Sequence, residues 1–205
     1  MSRVDFVGSE LLTDSGILTL DRALDQALSI LADFATDESF EQKIIEVFGD
    51  QFDTQKLDEL RQNFTSSSLD WLPKFEIRSA DELNGANAAF AASNNRVYLS
   101  QDFISANSSD INKITDVILE ELGHLIDSTI NTEDTPGDEG EYFSSLVQDK
   151  ELSSEAIDVI KSEDDLFLLN LGQSDVLSES NQSLYDDVEI SFRAFIPSPG
   201  LAQSI

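Results

Sequence analysis

The chain has 205 residues, enough for one domain with an appended subdomain and for a sizeable core. Its 41 acidic residues outnumber 12 basic ones, for a formal net charge of -29. That balance excludes nucleic acid and anionic membrane surfaces as partners and leaves a self-repelling soluble surface or carboxylates that bind cations such as calcium. The hydrophobic fraction of 40% is that of a folded protein. No cysteine is present, which removes disulfides, thiolate metal sites and cysteine nucleophiles. No apolar run approaches the ~20 residues that span a bilayer. The first residues lack an apolar h-region, so no cleavable signal peptide is expected, and non-classical (type I-like) secretion or a cytoplasmic location remains. Oligomeric state is not readable.

Residues 1–17 read as an irregular leader. From Leu18 a helical stripe begins, with Leu20, Ala23, Leu24, Ala27, Leu28, Leu31 and Phe34 recurring at three and four residues. A second helix carries Phe40, Ile44, Ile45, Val47 and Phe48 and stops at Gly49. A third starts from the N-cap Asp53 and runs through Leu57 and Leu60 to about Phe64. These form an N-terminal helical region, 1–65. Past Ser66, Ser67 and Ser68 the period changes. Residues 74–78 alternate like a half-buried strand. Residues 88–92 and 96–100 form a β-hairpin across an Asn-Asn turn. Phe103, Ile104 and a polar loop lead to Asp110.

The central helix is expected over 110–129. Ile111, Ile114, Ile118, Leu122 and Leu125 share one face. Glu120, His124 and Asp127 lie about 180–240° round from Ile118, and Glu121 lies between the two sets, near 300°. His124 is the only histidine. Glu120 and His124, one turn apart, read either as a solvent-facing pair worth a few tenths of a kcal/mol or as two ligands. Gly123 between them costs a helix interior ~1 kcal/mol and marks a close backbone approach. An acidic segment, 131–141, follows. Pro136-Gly137 makes a turn, and Asp138 caps a helix over 139–147 with Glu139 and Glu141 in its first turn. Those acids either compensate the helix dipole or supply a third ligand. The EF-hand order is absent. A short helix over 153–161, a buried strand over 166–172, a polar loop over 173–187, a last strand over 188–195 and a frayed tail from Pro197 complete the chain. There is no internal repeat.

The series Asn84-Gly85-Ala86-Asn87-Ala88-Ala89-Phe90, Val97-Tyr98-Leu99-Ser100, Leu119-Glu120-Glu121-Leu122-Gly123-His124-Leu125-Ile126-Asp127, Asp138-Glu139-Gly140-Glu141 and Lys161-Ser162-Glu163-Asp164-Asp165 resembles a domain near the N-terminus of cyanobacterial haemolysin-type (RTX-like) calcium-binding proteins. The likeness covers about residues 70–172; the family's glycine-aspartate repeats are absent. A more distant resemblance is to zincin metallopeptidases, whose helix reads His-Glu-x-x-His. Here Glu120 stands at the first ligand, Glu121 at the general base and His124 at the second ligand. Glu139 matches the third ligand of the gluzincin branch. Asp127, Asp138 and Glu141 are alternative ligands or supporting groups, and Val97, Tyr98 and Leu99 would form the edge strand that an extended peptide follows. Glu in place of the first His makes a harder site that takes zinc less exclusively over manganese, iron or calcium.

The resemblance therefore implies an α+β, zincin-like fold over 70–172, with a short mixed or antiparallel sheet, a β-hairpin, an active-site helix and a following helix. The N-terminal helical region precedes it, and a loop, strand and tail over 173–205 follow. It implies a metal-binding domain, active or degenerate as a metallopeptidase on peptide or protein substrates. The alternative is a non-catalytic, acidic, calcium-responsive structural or targeting module of a secreted protein.

Overall fold

The computed structural model describes residues 4–163, 166–170 and 175–180. Capping side chains set where its helices begin. The Thr13 hydroxyl accepts from the Gly16 amide at 3.1 Å and starts α1 (Asp14–Thr36), one turn earlier than the apolar stripe alone indicates. α2 (Phe40–Phe48) stops at Gly49 with φ 78°, and Asp53 accepts from the Gln55 and Lys56 amides to start α3 (Thr54–Phe64). β1 (Lys74–Arg78), β2 (Ala88–Ala91) and β3 (Arg96–Ser100) follow. The Ser100 hydroxyl then accepts from the Phe103 amide and opens α4 (Gln101–Ala106), where a polar loop was expected. α5 (Ile111–Ile130), α6 (Glu139–Val147) and α7 (Ser154–Ile160) match the expected helices closely. β4 (Leu166–Asn170) is the expected strand, and β5 (Asp175–Ser180) lies inside the stretch read as loop. The strand expected over 188–195 and the tail from Pro197 lie outside the described residues.

The described residues thus make a mixed α+β fold of seven α-helices and a five-stranded sheet, in the order β1-β3-β2-β5-β4. β1 and β3 are parallel, and the other neighbours are antiparallel. This order corrects one expectation. Val97, Tyr98 and Leu99 sit on β3, between β1 and β2, so they form no open edge. Phe75 and Val97 are cross-strand partners, as are Ile77 and Leu99, and this parallel pairing brings β3 into the sheet interior.

One hydrophobic cluster runs from Phe6 to Ile160, joining Leu20, Leu24 and Leu31 of α1 to Phe75, Phe90, Val97 and Leu99 of the sheet and Ile114, Ile118 and Leu122 of α5. A smaller cluster, including Leu83, Ala89, Tyr98 and Leu169, covers the other sheet face. α5 touches α1, α3, α6 and β2. Every residue of α5 from Val117 to Asp127 is buried. The face opposite the apolar stripe is therefore not solvated, as the wheel of an isolated helix would suggest; α6 covers it. No described helix is long and apolar enough to cross a membrane.

The α5–α6 packing rests on two glycines. A Cβ on Gly123 would lie 2.8 Å from Gly140 Cα, and a Cβ on Gly140 would lie 2.5 Å from His124 Nε2 and 2.7 Å from the Glu120 carbonyl oxygen. Phe143, one turn further along α6, packs its ring on Phe34 and Phe48 at centroid distances of 5.7 and 5.6 Å. Gly140→Ala is expected to cost a net ~1–3 kcal/mol in urea unfolding, although Ala favours a helix over Gly by about 1 kcal/mol. Unchanged or increased stability would contradict the close packing.

Candidate metal centre

α5 and α6 place the acidic side chains. The Asp127 carboxylate organises the connection between them: it accepts from Asn131 Nδ2 at 2.7 Å, from the Thr135 hydroxyl at 2.5 Å and from the Thr135 amide at 3.2 Å. Asn131 Nδ2 also donates to the Phe48 carbonyl at 3.1 Å, tying the loop to α2. Gly137 (φ 103°) then lets the chain pass against Lys161, and the Asp138 amide donates to the Ile160 carbonyl at 2.9 Å. Asp138 caps α6 by accepting from the Glu141 amide at 2.6 Å. The positive end of the α6 dipole thereby faces the acids gathered there.

His124 is the hub and is 0% exposed. Its Nδ1 lies 2.8 Å from Glu139 Oε1 and 2.9 Å from Glu179 Oε2. Both neighbours are acceptors, so Nδ1 carries a proton. One N–H cannot serve both fully; Glu139 takes the hydrogen bond and Glu179 adds its charge. Nε2 faces the other way, 3.9 Å from Asp138 Oδ1. Glu120, His124 and Asp138 each present a ligand atom within 4.8 Å of the others. A separation of 3.9 Å is too long for a hydrogen bond. Two ligand atoms ~2.1 Å from a tetrahedral ion stand ~3.4 Å apart, so a small inward movement of about 0.5 Å would bring this pair onto one metal.

The expected ligands are therefore brought together in a different arrangement. Glu120 and His124 share a centre with Asp138, while Glu139 sits on the opposite ring nitrogen. Glu121 is wholly buried beside Glu120. Glu141 groups with Asp138 and Glu163, and Asp127 with Asp134 and Glu139. Val97 and Leu99 belong to the main core and Tyr98 to the small one, so none of the three lines the centre. Glu179 was missed by sequence reasoning. The signal for it is weak: past Gly172 the sequence is small and polar apart from the adjacent pair Val176 and Leu177. A cleft of about 460 Å³, lined by Val47, Thr135, Pro136 and Tyr142 among others, reaches Asp138 and Glu139 from the α2 side.

Burial dominates the electrostatics. It pushes Glu120 well above the ordinary carboxyl range, with the Asp138 and Glu121 charges adding to the effect. It lifts Glu139 to about 7 against the opposing pull of His124. Glu141 also rises to about 7, by burial and then the Asp138 charge. Asp134 rises to about 6, by burial and then Glu179. Burial alone would lower the His124 imidazole; the charge and hydrogen bond of Glu139, then the nearby Glu179 carboxylate, overturn this and raise it well above its usual range. Clusters of buried acids with displaced titration are characteristic of functional centres.

The sign for stability follows. Carboxyls raised in the folded state bind more protons there than in the unfolded chain, so their contribution is present below about pH 4.5 and lost as pH rises through about 6–7. His124, also raised, loses its contribution above about 6.5 in the same direction. Metal-free protein is expected to lose on the order of 3 kcal/mol between pH 5 and 7.5, measured by urea unfolding in chelator. Stability that is flat or rises over that window would contradict the buried cluster. Comparison with protein-family models, with curated proteins and with solved structures finds no match to this chain.

Proposed function

We propose that the chain is a zincin-like protein that holds a divalent metal between Glu120, His124 and Asp138 and uses it in peptide hydrolysis. The observation that carries this reading is the gathering of three buried ligand atoms, from Glu120, His124 and Asp138, within 4.8 Å of one another. Glu139 Oε2, buried without a hydrogen-bond partner, adds acceptor capacity beside the ring. One imidazole and two carboxylates suit zinc, with manganese and iron also accommodated. Calcium, which favours an all-oxygen shell, fits less well.

A metal held there supplies Lewis acidity to polarise a peptide carbonyl. The chain does the rest. Glu139 fixes the Nδ1–H tautomer, so that Nε2 offers its lone pair toward Asp138 and Glu120. Glu121, wholly buried and one residue from Glu120, is the group to take a proton from the attacking water. The acids of the α6 first turn lie at the positive end of a helix dipole, which partly offsets their mutual repulsion.

One observation favours a second reading. His124 and Glu121 are both 0% exposed, and a closed centre suits a non-catalytic module in which metal or proton holds α5 to α6. The test separates the two. Protein purified without chelator or added metal is expected to carry near-stoichiometric zinc, manganese or iron by elemental analysis, and His124→Ala to carry none. Metal at about 100 times its Kd should stabilise the wild type by ~2.7 kcal/mol and leave His124→Ala unmoved. Glu121→Gln should keep the metal and lose cleavage of an unstructured protein substrate. No transition metal, or a content indifferent to His124→Ala, would sink the metal reading; metal without cleavage under any condition would leave the module.

A further inference from the structure

On its Nδ1 side His124 faces more negative charge than one imidazole can balance. Glu139 Oε1 and Glu179 Oε2 lie 2.8 and 2.9 Å from Nδ1. Glu139 also belongs to a second group: Asp127, Asp134 and Glu139 each present a carboxylate oxygen within 4.8 Å of the other two. These three come from successive pieces of chain. Asp127 is in the last turn of α5, Asp134 in the loop and Glu139 in the first turn of α6. Asp127 and Glu139 are 2% and 3% exposed, whereas Asp134 faces solvent. The Asp127 oxygens accept from Asn131 and Thr135. Glu139 differs: Oε1 is taken by the imidazole, and Oε2 is buried with no hydrogen-bond partner. A buried acceptor left without a donor is costly, and two further carboxylates close by add repulsion.

We propose that Asp127, Asp134 and Glu139 form a second cation site, across the α5–α6 loop, and that it takes calcium. The ion is read from the donors. Nδ1 carries a proton, so the ring offers no lone pair on this side. The donors are carboxylate oxygens, which suit a hard ion rather than zinc. Oxygens bound at ~2.4 Å in a seven-coordinate shell stand roughly 2.8–4.8 Å apart, so the group accommodates calcium without rearrangement. Magnesium demands a near-ideal octahedron, which acids from two helices and a loop supply less readily. The exposed Asp134 gives the ion a way in and leaves room for water in its shell. Glycine-aspartate repeats play no part. An ion here staples α5 to α6 through their loop. Glu139 binds it through Oε2 and the imidazole through Oε1, and Asp138, one residue earlier, is held facing Nε2. The proposal stands apart from the metal reading at Nε2 and shares with it only the Nδ1–H tautomer.

The test titrates calcium chloride, and separately magnesium chloride, into the chelator-treated full chain by calorimetry, in salt of about 0.15 M to screen the diffuse pull of the acidic surface. The wild type is expected to bind one calcium, and magnesium at least about tenfold more weakly. Asp134→Asn, which alters only the exposed ligand, should weaken calcium about tenfold and leave zinc binding unchanged. Glu133→Gln removes the same charge from the same exposed loop and should leave calcium binding as it was. With calcium, backbone amides between 131 and 138 should exchange on the order of tenfold more slowly in the wild type and not in Asp134→Asn. No saturable calcium binding at millimolar concentration, or binding weakened equally by Asp134→Asn and Glu133→Gln, would overturn the site. Zinc calorimetry on the same samples keeps the two readings apart. Calcium binding without zinc binding removes only the reading at Nε2, and zinc binding without calcium binding removes only the second site.

Discussion

The contact between Gly123 and Gly140 is the constraint on which the rest of this molecule depends. Two helices can approach this closely only where neither carries a side chain at the crossing. The approach delivers the first turn of α6, with Asp138 and Glu139, onto the face of α5 that carries Glu120 and His124. It also sets both ring nitrogens of a single imidazole between carboxylates. A methyl group at either glycine would push the helices apart at the level of the imidazole, and the centre would lose its geometry along with its burial.

Gathering acids in the interior is unfavourable, since each carboxylate surrenders hydration and repels its neighbours. The structure offsets this from outside the centre. Phe143 is stacked on Phe34 and Phe48, Asp127 ties the α5–α6 loop to α2 through Asn131, and α1 packs along the other side of α5. His124 supplies one cation's worth of compensation: Glu139 raises the titration of the imidazole, and the imidazole pulls against the burial that lifts Glu139. A divalent ion at Nε2 would supply more, and would turn an arrangement that costs stability at neutral pH into one that gains it. Strained electrostatics supported by ordinary packing is the pattern expected where function opposes stability.

Much of this was readable in the sequence. The helices announce themselves through period and caps: Asp53, Asp138 and Ser153 all cap helices in the structure. Gly123 signalled a close approach, and the approach is there. What one helix's periodicity could not show is what covers its polar face, so the burial of Glu120, His124 and Asp127 came only with α6 in place. That Asp138 groups with Glu120 and His124, while Glu139 groups with His124 and Glu179, depends on where each carboxylate points, which spacing does not determine. α4 was too short to show a period. β5 is a strand of small and polar residues whose only large apolar side chain inside the small cluster is Val176. The position of Val97, Tyr98 and Leu99 inside the sheet follows from a parallel pairing with β1 that no local pattern encodes.

Because His124 is the only histidine, its side chain can be observed without ambiguity. Nitrogen NMR of the imidazole, with and without zinc, tests the central claim most directly. The account predicts a proton on Nδ1 in both states and a metal-bound Nε2 once zinc is added, with a titration raised above the ordinary histidine range in the metal-free protein. An imidazole that exchanges freely between tautomers, titrates as in an unfolded chain and ignores zinc would contradict it.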